Sequence, residues 1–408
     1  MRGMRGLSVG GVSAERLARR FGTPLYAYDG DLLRARLSAF RRAFAGRDLL
    51  VCYALKANPL GAVARLLARE GAGCDVVSGG ELGRALAAGF APSRVVFSGV
   101  GKTEEEIVAG LRRGLYAFNV ESADELRTLE RAARRLKRPG RFAVRVTPGV
   151  KAGGHAHIET GSADTKFGVE PREALELCRK SRRSRFLRLV GLQCHVGSQI
   201  LATGPYRAAL KALLGLAGTL AAEGTRLESL DLGGGMGIGY DGGPGLDPAA
   251  LAAALAPGLR GRPERLLLEP GRWLAGPAGT LLTRVVRLKD TSRRRFVVVD
   301  AGMNDLLRPA LYSARHRVVP VAPRPGRAAP ADVVGPVCET ADFLARGARL
   351  PRLGAGDLLA VRDAGAYGSS MGSQYNSRPR PAEVLVSRGR AALARRRETP
   401  ADLVRHEL

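Results

Sequence analysis

From about Leu49 to Pro270 the chain alternates between short apolar runs and amphipathic stretches, and this constrains its fold more than any other feature. The runs end at Lys56, Val76-Val77-Ser78, Phe97-Ser98, Phe118-Asn119, Val146-Thr147, Cys194-His195, Leu232-Gly233 and Leu268-Glu269. Short apolar runs of this kind read as strands buried on both faces. Between them lie helix-like segments such as Leu60–Glu70, Glu81–Ala88, Thr103–Arg113, Ser122–Lys137, Arg172–Lys180 and Pro205–Glu223. Strands joined through helices run parallel, and eight such units suit a closed (β/α)8 TIM-like barrel. Polar residues fall at or near the carboxyl ends of the runs: Lys56, Asp75, Ser78, Asn119, Arg145, His195, a glycine cluster and Glu269. In a barrel those ends share one face, where sites are built.

After about Gly279 the texture changes. Short β-rich runs (Thr280–Leu288, Arg295–Val299, Val333–Val337, Leu358–Val361, Glu383–Val386) are separated by Pro, Gly and Asp, which predicts an all-β domain. The first residues hold one short helix, Ser13–Phe21, and the run Pro24-Leu25-Tyr26-Ala27-Tyr28, which returns to that domain. The expected division is 27–278 for the barrel, with 1–26 and 279–408 forming the β-rich domain. Pro320–Pro330 reads as a surface loop.

Composition excludes several classes. At 408 residues and 45% hydrophobic content the chain can build two packed domains. No apolar stretch approaches a membrane span, and the N-terminus lacks the apolar core of a secretory signal. A cytoplasmic enzyme is expected. The five cysteines (Cys52, Cys74, Cys178, Cys194, Cys338) have no metal-knuckle spacing, so no metal is expected. The net charge of +27 raises a nucleic-acid reading. Yet only eight of the 65 basic residues are lysine, the arginines are spread along the chain, and aromatics make up only 5%, too few to interleave for base stacking.

Four features carry chemistry. Lys56 ends a buried run, where an ammonium is costly unless paired or covalently used. It is either a snorkelling strand-end lysine or a nucleophile that forms a Schiff base with a carbonyl. Asp231-Leu232-Gly233-Gly234-Gly235-Met236-Gly237 follows a strand, and consecutive glycines let backbone N–H groups close on an anion or simply make a tight turn. Glu269-Pro270-Gly271-Arg272 sets a carboxylate at a strand end, either as an ion pair or to keep a pyridine nitrogen protonated. His195 is either a hydrogen-bonded core histidine or a platform for an aromatic ring. Together they describe a pyridoxal 5'-phosphate site.

With these motifs in place, the chain resembles the diaminopimelate decarboxylase family, within the alanine-racemase-like, fold-type III pyridoxal phosphate enzymes. The likeness runs from about Thr23 to Val386. It rests on Tyr53-Ala54-Leu55-Lys56-Ala57-Asn58, Cys74–Leu82, Lys166-Phe167-Gly168, His195-Val196-Gly197-Ser198-Gln199 and Glu269–Arg272. It continues through Arg308-Pro309-Ala310-Leu311-Tyr312, Gly335–Asp342, Gly365-Ala366-Tyr367, Met371 and Tyr375-Asn376. The resemblance implies that Lys56 holds the cofactor and that His195 stacks on its ring. It implies cofactor contacts from Asp75, Ser198, Gly235, Glu269, Pro270, Gly271, Arg272 and Tyr367, with Ser198 and Tyr367 near the phosphate. It also implies that Arg272, Arg308, Tyr312, Glu339 and Tyr367 bind substrate, and that Cys338 enters the site from a second subunit as a candidate proton donor. The implied protein is a homodimer whose β-rich domain supplies substrate-binding and interface residues. The implied reaction is decarboxylation of meso-2,6-diaminopimelate to L-lysine and CO2, the last step of lysine biosynthesis.

The chain departs from the family at Arg145-Val146-Thr147-Pro148, where Arg-x-Asn-Pro is usual, and at His157, where an aromatic is common. An alternative is a decarboxylase of ornithine, lysine or carboxynorspermidine on the same fold. Such substrates lack the distal carboxylate that the arginine pair Arg272 and Arg308 suits. A basic nucleic-acid-binding protein is the non-enzyme alternative.

Overall fold

A computed structural model describes residues 6–150, 166–240 and 242–408. The chain divides into two compact units: Arg36–Ile238 with Pro244–Trp273, and Met1–Ala35 with Gly239–Gly243 and Leu274–Leu408.

The first unit is a closed barrel of eight parallel strands. In chain order they are Leu49–Ala54, Gly73–Val76, Val95–Phe97, Ala117–Val120, Gly140–Arg145, Leu187–Gln193, Ser229–Asp231 and Arg265–Leu268. Each run expected from the sequence is one of these strands. The barrel closes where Leu266, Leu267 and Leu268 pair with Leu49, Leu50 and Val51. Leu50, Cys52, Val96, Tyr116, Ala117, Val190 and Leu267 pack into one buried cluster, so the barrel is a filled core and not a pore.

The helices between strands follow the amphipathic stretches, and several carry their own start signals. Ser78 and Ser122 accept hydrogen bonds from the N–H groups of Glu81 and Glu125, capping Gly79–Ala87 and Ala123–Leu136. Thr103 and Glu106 form a capping box at Glu104–Arg113, which Gly114 ends in the left-handed conformation. Two helices, Gly30–Ala43 and Pro248–Leu259, were not expected.

The second unit is built on one mixed sheet. Its central path runs Phe343–Leu350, Ala329–Val334, Arg295–Val299, Gly279–Asp290, Leu25–Asp29, Ala382–Ser387, Arg390–Arg395. The N-terminal strand lies inside this sheet, antiparallel to Gly279–Leu282 and parallel to Ala382–Val386. Leu17, Leu25, Leu282, Val384 and Val386 share one buried cluster, so the first residues complete the β-rich unit's core. This moves the expected boundary: the unit ends after Ala35 and not within the strand at Tyr26. Phe343–Leu350 and Arg390–Arg395 are strands the sequence reading passed over, and the run expected at Val333–Val337 sits earlier, at Ala329–Val334.

Candidate active site

In the barrel unit the eight strand ends converge on a polar floor. Lys56 lies in the short 3-10 turn Leu55–Ala57 directly after the first strand. Its Nζ is 2.5 Å from Asp75 Oδ2, with the Asp75 side chain wholly buried and the lysine 39% exposed. A buried carboxylate needs such a partner, while the exposure of Lys56 leaves its amine reachable.

Glu269 is buried at the end of the last strand. It accepts hydrogen bonds from Asn119 Nδ2 at 3.4 Å and Gln193 Nε2 at 3.3 Å. The neighbouring Asp231 accepts the Gly233 N–H at 2.8 Å. Burial, then the charges of Asp231 and Asp75, hold the Glu269 carboxyl well above its usual range, and burial likewise raises Asp231. Like charges crowded at one buried site disfavour ionisation of both carboxyls. The sequence reading did not single out Asp231 and Gln193. The register that pairs them directly across neighbouring strands is the signal that finds them.

His195 is half-buried, and its Nδ1 accepts the Gly234 N–H at 3.1 Å. Burial, with the positive charges of Arg145 and Lys56, pushes its pKa down to about 3. The ring is therefore a neutral, flat platform. Tyr206, also not anticipated, donates its hydroxyl to the Gly234 carbonyl at 2.7 Å and braces the same loop.

Two glycines are required where they stand. Gly235 has φ +91°, and a Cβ there would lie 2.2 Å from the Gly197 carbonyl. This brings the loops after two strands into contact, and Ile200 donates its N–H to the Gly235 carbonyl at 2.9 Å. Gly271 would set a Cβ 2.9 Å from Ala57 Cβ, so a bare glycine lets the Glu269–Arg272 turn lie against the lysine segment. Arg272 Nη2 donates to Ser198 Oγ at 2.9 Å, joining two expected site residues.

The Thr147 departure has a structural role. Its hydroxyl donates to the Phe167 carbonyl at 2.6 Å and its N–H to Val169 at 2.8 Å. Arg145 stacks on the Phe167 ring at 4.6 Å and pairs with buried Glu121 at 2.9 Å. Glu121 also accepts the Gly168 N–H at 3.0 Å. His157 lies outside the described residues.

The β-rich unit carries the other expected residues. Arg308 and Tyr312 bound one short helix, with Arg308 buried. Cys338 is exposed, and its N–H donates to Asn376 Oδ1 at 2.7 Å. Glu339 lies 3.4 Å from the Tyr375 hydroxyl. Asp342 ties their loop down by accepting the N–H groups of Val337 and Met303 at 2.7 and 2.6 Å. Tyr367 takes φ +57°, a left-handed conformation that costs a bulky residue free energy and clusters at functional sites.

Residues 31–276 match the pyridoxal-dependent decarboxylase family in its pyridoxal binding domain. Diaminopimelate decarboxylase of Aquifex aeolicus is 45% identical over 395 residues, which cover 96% of this chain and 93% of that protein. The chain belongs to the diaminopimelate decarboxylase family. Among solved structures of this family, the enzyme from Helicobacter pylori complexed with L-lysine aligns with TM-score 0.93 and 41% identity, over 96% of this chain and 98% of that one. Lysine/ornithine decarboxylase from Vibrio vulnificus complexed with putrescine shares the fold at TM-score 0.81 but only 25% identity, over 91% and 96%.

The barrel residues fit a pyridoxal phosphate. They offer an amine paired with a buried carboxylate, a buried carboxyl at the last strand end, a neutral flat ring and a glycine turn. No helix of the described residues is long and apolar enough to cross a membrane.

Proposed function

We propose that this chain is a pyridoxal-phosphate-dependent diaminopimelate decarboxylase, a carboxy-lyase that converts meso-2,6-diaminopimelate to L-lysine and CO2. The observation that carries the reading is the paired Lys56 and Asp75 on the same barrel floor as buried Glu269, in a chain of this family. When bound, the cofactor supplies an electron sink for the pair left behind as CO2 departs.

Each residue then has a task. Lys56 holds the cofactor through Nζ and yields it to the incoming amine. Asp75 anchors Lys56 Nζ on the barrel floor. Glu269 would keep the pyridine nitrogen protonated. A racemase weakens the sink with an arginine at this point, and a carboxyl does the opposite. His195 supports the ring face, Ser198 and Tyr367 serve the phosphate end, and Gly235, Pro270 and Gly271 are further cofactor contacts.

Diaminopimelate carries an amino acid at each end, so an enzyme acting on one end must read the other. Arg272 and Arg308 suit the distal carboxylate, because a guanidinium fork matches two carboxylate oxygens. Glu339 suits the distal ammonium, with Tyr312 and Tyr367 beside them in role. Cys338, exposed on the single chain, serves across a homodimer interface and returns a proton to the reacting carbon. A cytoplasmic setting accords with five free thiols.

The test is a substrate panel on cofactor-loaded protein. CO2 and L-lysine are expected from meso-diaminopimelate, with little turnover of ornithine or lysine. Turnover of ornithine with none of diaminopimelate would overturn the distal-carboxylate reading.

A further inference from the structure

Within the β-rich unit, Arg308 does not stand by itself. Its Nη1 lies 2.7 Å from His316 Nε2. His316 Nδ1 lies 2.9 Å from the Arg362 carbonyl oxygen. The Arg308 guanidinium also sits over the Tyr240 ring, 4.5 Å from its centre, and the Tyr240 and His316 rings meet edge to face at 4.9 Å.

The partners decide the form of the imidazole. A guanidinium has only donors, and a carbonyl oxygen only accepts. Both contacts are hydrogen bonds only if Nδ1 carries the proton and donates to Arg362, leaving the Nε2 lone pair to accept from Arg308. A doubly protonated ring would face Arg308 with a second donor and lose that bond.

The far end of this chain of contacts is anchored. The Arg362 N–H donates to the Arg317 carbonyl at 2.9 Å, and its Nη1 donates to Thr280 Oγ1 at 3.1 Å, on a central strand of the sheet. His316 is itself buried, at 5% exposure. The guanidinium is thus held on one edge by a fixed imidazole and on one face by a tyrosine ring.

We propose that His316 is a positioning residue for substrate recognition. As a neutral Nδ1–H imidazole, it orients the Arg308 fork for the distal carboxylate of the substrate. This rests on the reading of Arg308 given above. An arginine binds a carboxylate bidentately only when its plane is set, so a fork free to turn loses one of two bonds.

His316→Asn separates the two contacts. Its amide nitrogen can still donate to Arg362, but no atom remains at the Nε2 position. In His316→Gln the longer side chain brings an amide oxygen to Arg308. Steady-state kinetics on the cofactor-loaded enzyme with meso-diaminopimelate compare both with Arg308→Ala and the double variant Arg308→Ala/His316→Asn. Cofactor absorbance and the melting temperature monitor folding.

Arg308→Ala should raise KM by about a hundredfold, the cost of a lost charge-assisted pair. His316→Asn should raise KM by about tenfold with kcat within about threefold, and His316→Gln should recover most of that loss. The double variant should be no worse than Arg308→Ala, since the histidine acts only through the arginine. If Arg308→Ala raises KM while His316→Asn leaves it within about twofold, or if the two effects multiply, the positioning role is wrong. An unchanged KM in Arg308→Ala would overturn the reading of Arg308 and this proposal with it. Should His316→Asn not fold, His316→Leu takes its place under the same outcomes.

Discussion

Lys56 Nζ lies 2.5 Å from Asp75 Oδ2; the lysine follows the strand Leu49–Ala54, whose register with its neighbour sets Ala54 beside Asp75. The pair is asymmetric. The aspartate is wholly buried and the lysine 39% exposed. The barrel therefore sets a partly exposed amine against a buried carboxyl group.

The first prediction concerns that amine. Borohydride reduction of the cofactor-loaded protein should fix the label at Lys56, read by peptide mapping. Lys56→Ala should lose at least about a thousandfold in kcat. A label on another lysine would remove the chemical basis of the proposed function.

Glu269→Gln tests the electron sink. The amide keeps the shape but holds no transferable proton. Cofactor binding should survive, while kcat falls by about a hundredfold. Full activity in this variant would separate Glu269 from the chemistry.

Subunit mixing tests Cys338. Lys56→Ala and Cys338→Ala homodimers should each be inactive. In a shared-site dimer one of the two sites in each heterodimer is intact, so an equal mixture should recover about a quarter of wild-type activity. Confirmed heterodimers with no activity would confine Cys338 to its own chain.

His195 predicts a pH dependence. Its pKa is pushed down to about 3 by burial and nearby cations, against about 6.5 when unfolded. Its folded form stays neutral, so its penalty is absent above about pH 6.5. The penalty grows as pH falls towards 3, because the unfolded state takes up the proton first. Urea midpoints of cofactor-free wild type and His195→Gln should therefore diverge on acidification. Between pH 7 and pH 5 wild type should lose up to about 2 kcal/mol relative to the variant. Parallel curves would mean that His195 titrates normally in the fold.

Thr147 predicts a smaller effect. Thr147→Val removes the hydroxyl that donates to the Phe167 carbonyl. Leaving that acceptor without its donor should cost about 1–2 kcal/mol in urea unfolding. Thr147→Ser, which keeps the hydroxyl, should lose less.

Much of the fold was legible because the barrel strands are short apolar runs with polar ends, and the helices between them bury one face. The misses have physical causes. Arg390–Arg395 reads Arg-Ala-Ala-Leu-Ala-Arg, a helix-favouring composition, but pairing with Ala382–Ser387 makes it a strand. Phe343–Leu350 carries two arginines and a glycine on a largely solvent-facing edge, so no apolar alternation marks it. The cofactor-side residues Lys56, His195 and Glu269 stood out because each follows a run of hydrophobic residues. Asp231, Gln193 and His316 did not, because their roles depend on neighbours distant in sequence.

The sequence by itself determined the order of strands and helices, the chemical types at the strand ends and the family, because periodicity and local residue type are properties of a linear chain. Only the tertiary structure decided which carboxyls crowd Glu269 and which imidazole nitrogen faces Arg308. Those outcomes depend on ångström-scale approach between side chains and strands far apart in the chain, and barrel closure and sheet register set that approach.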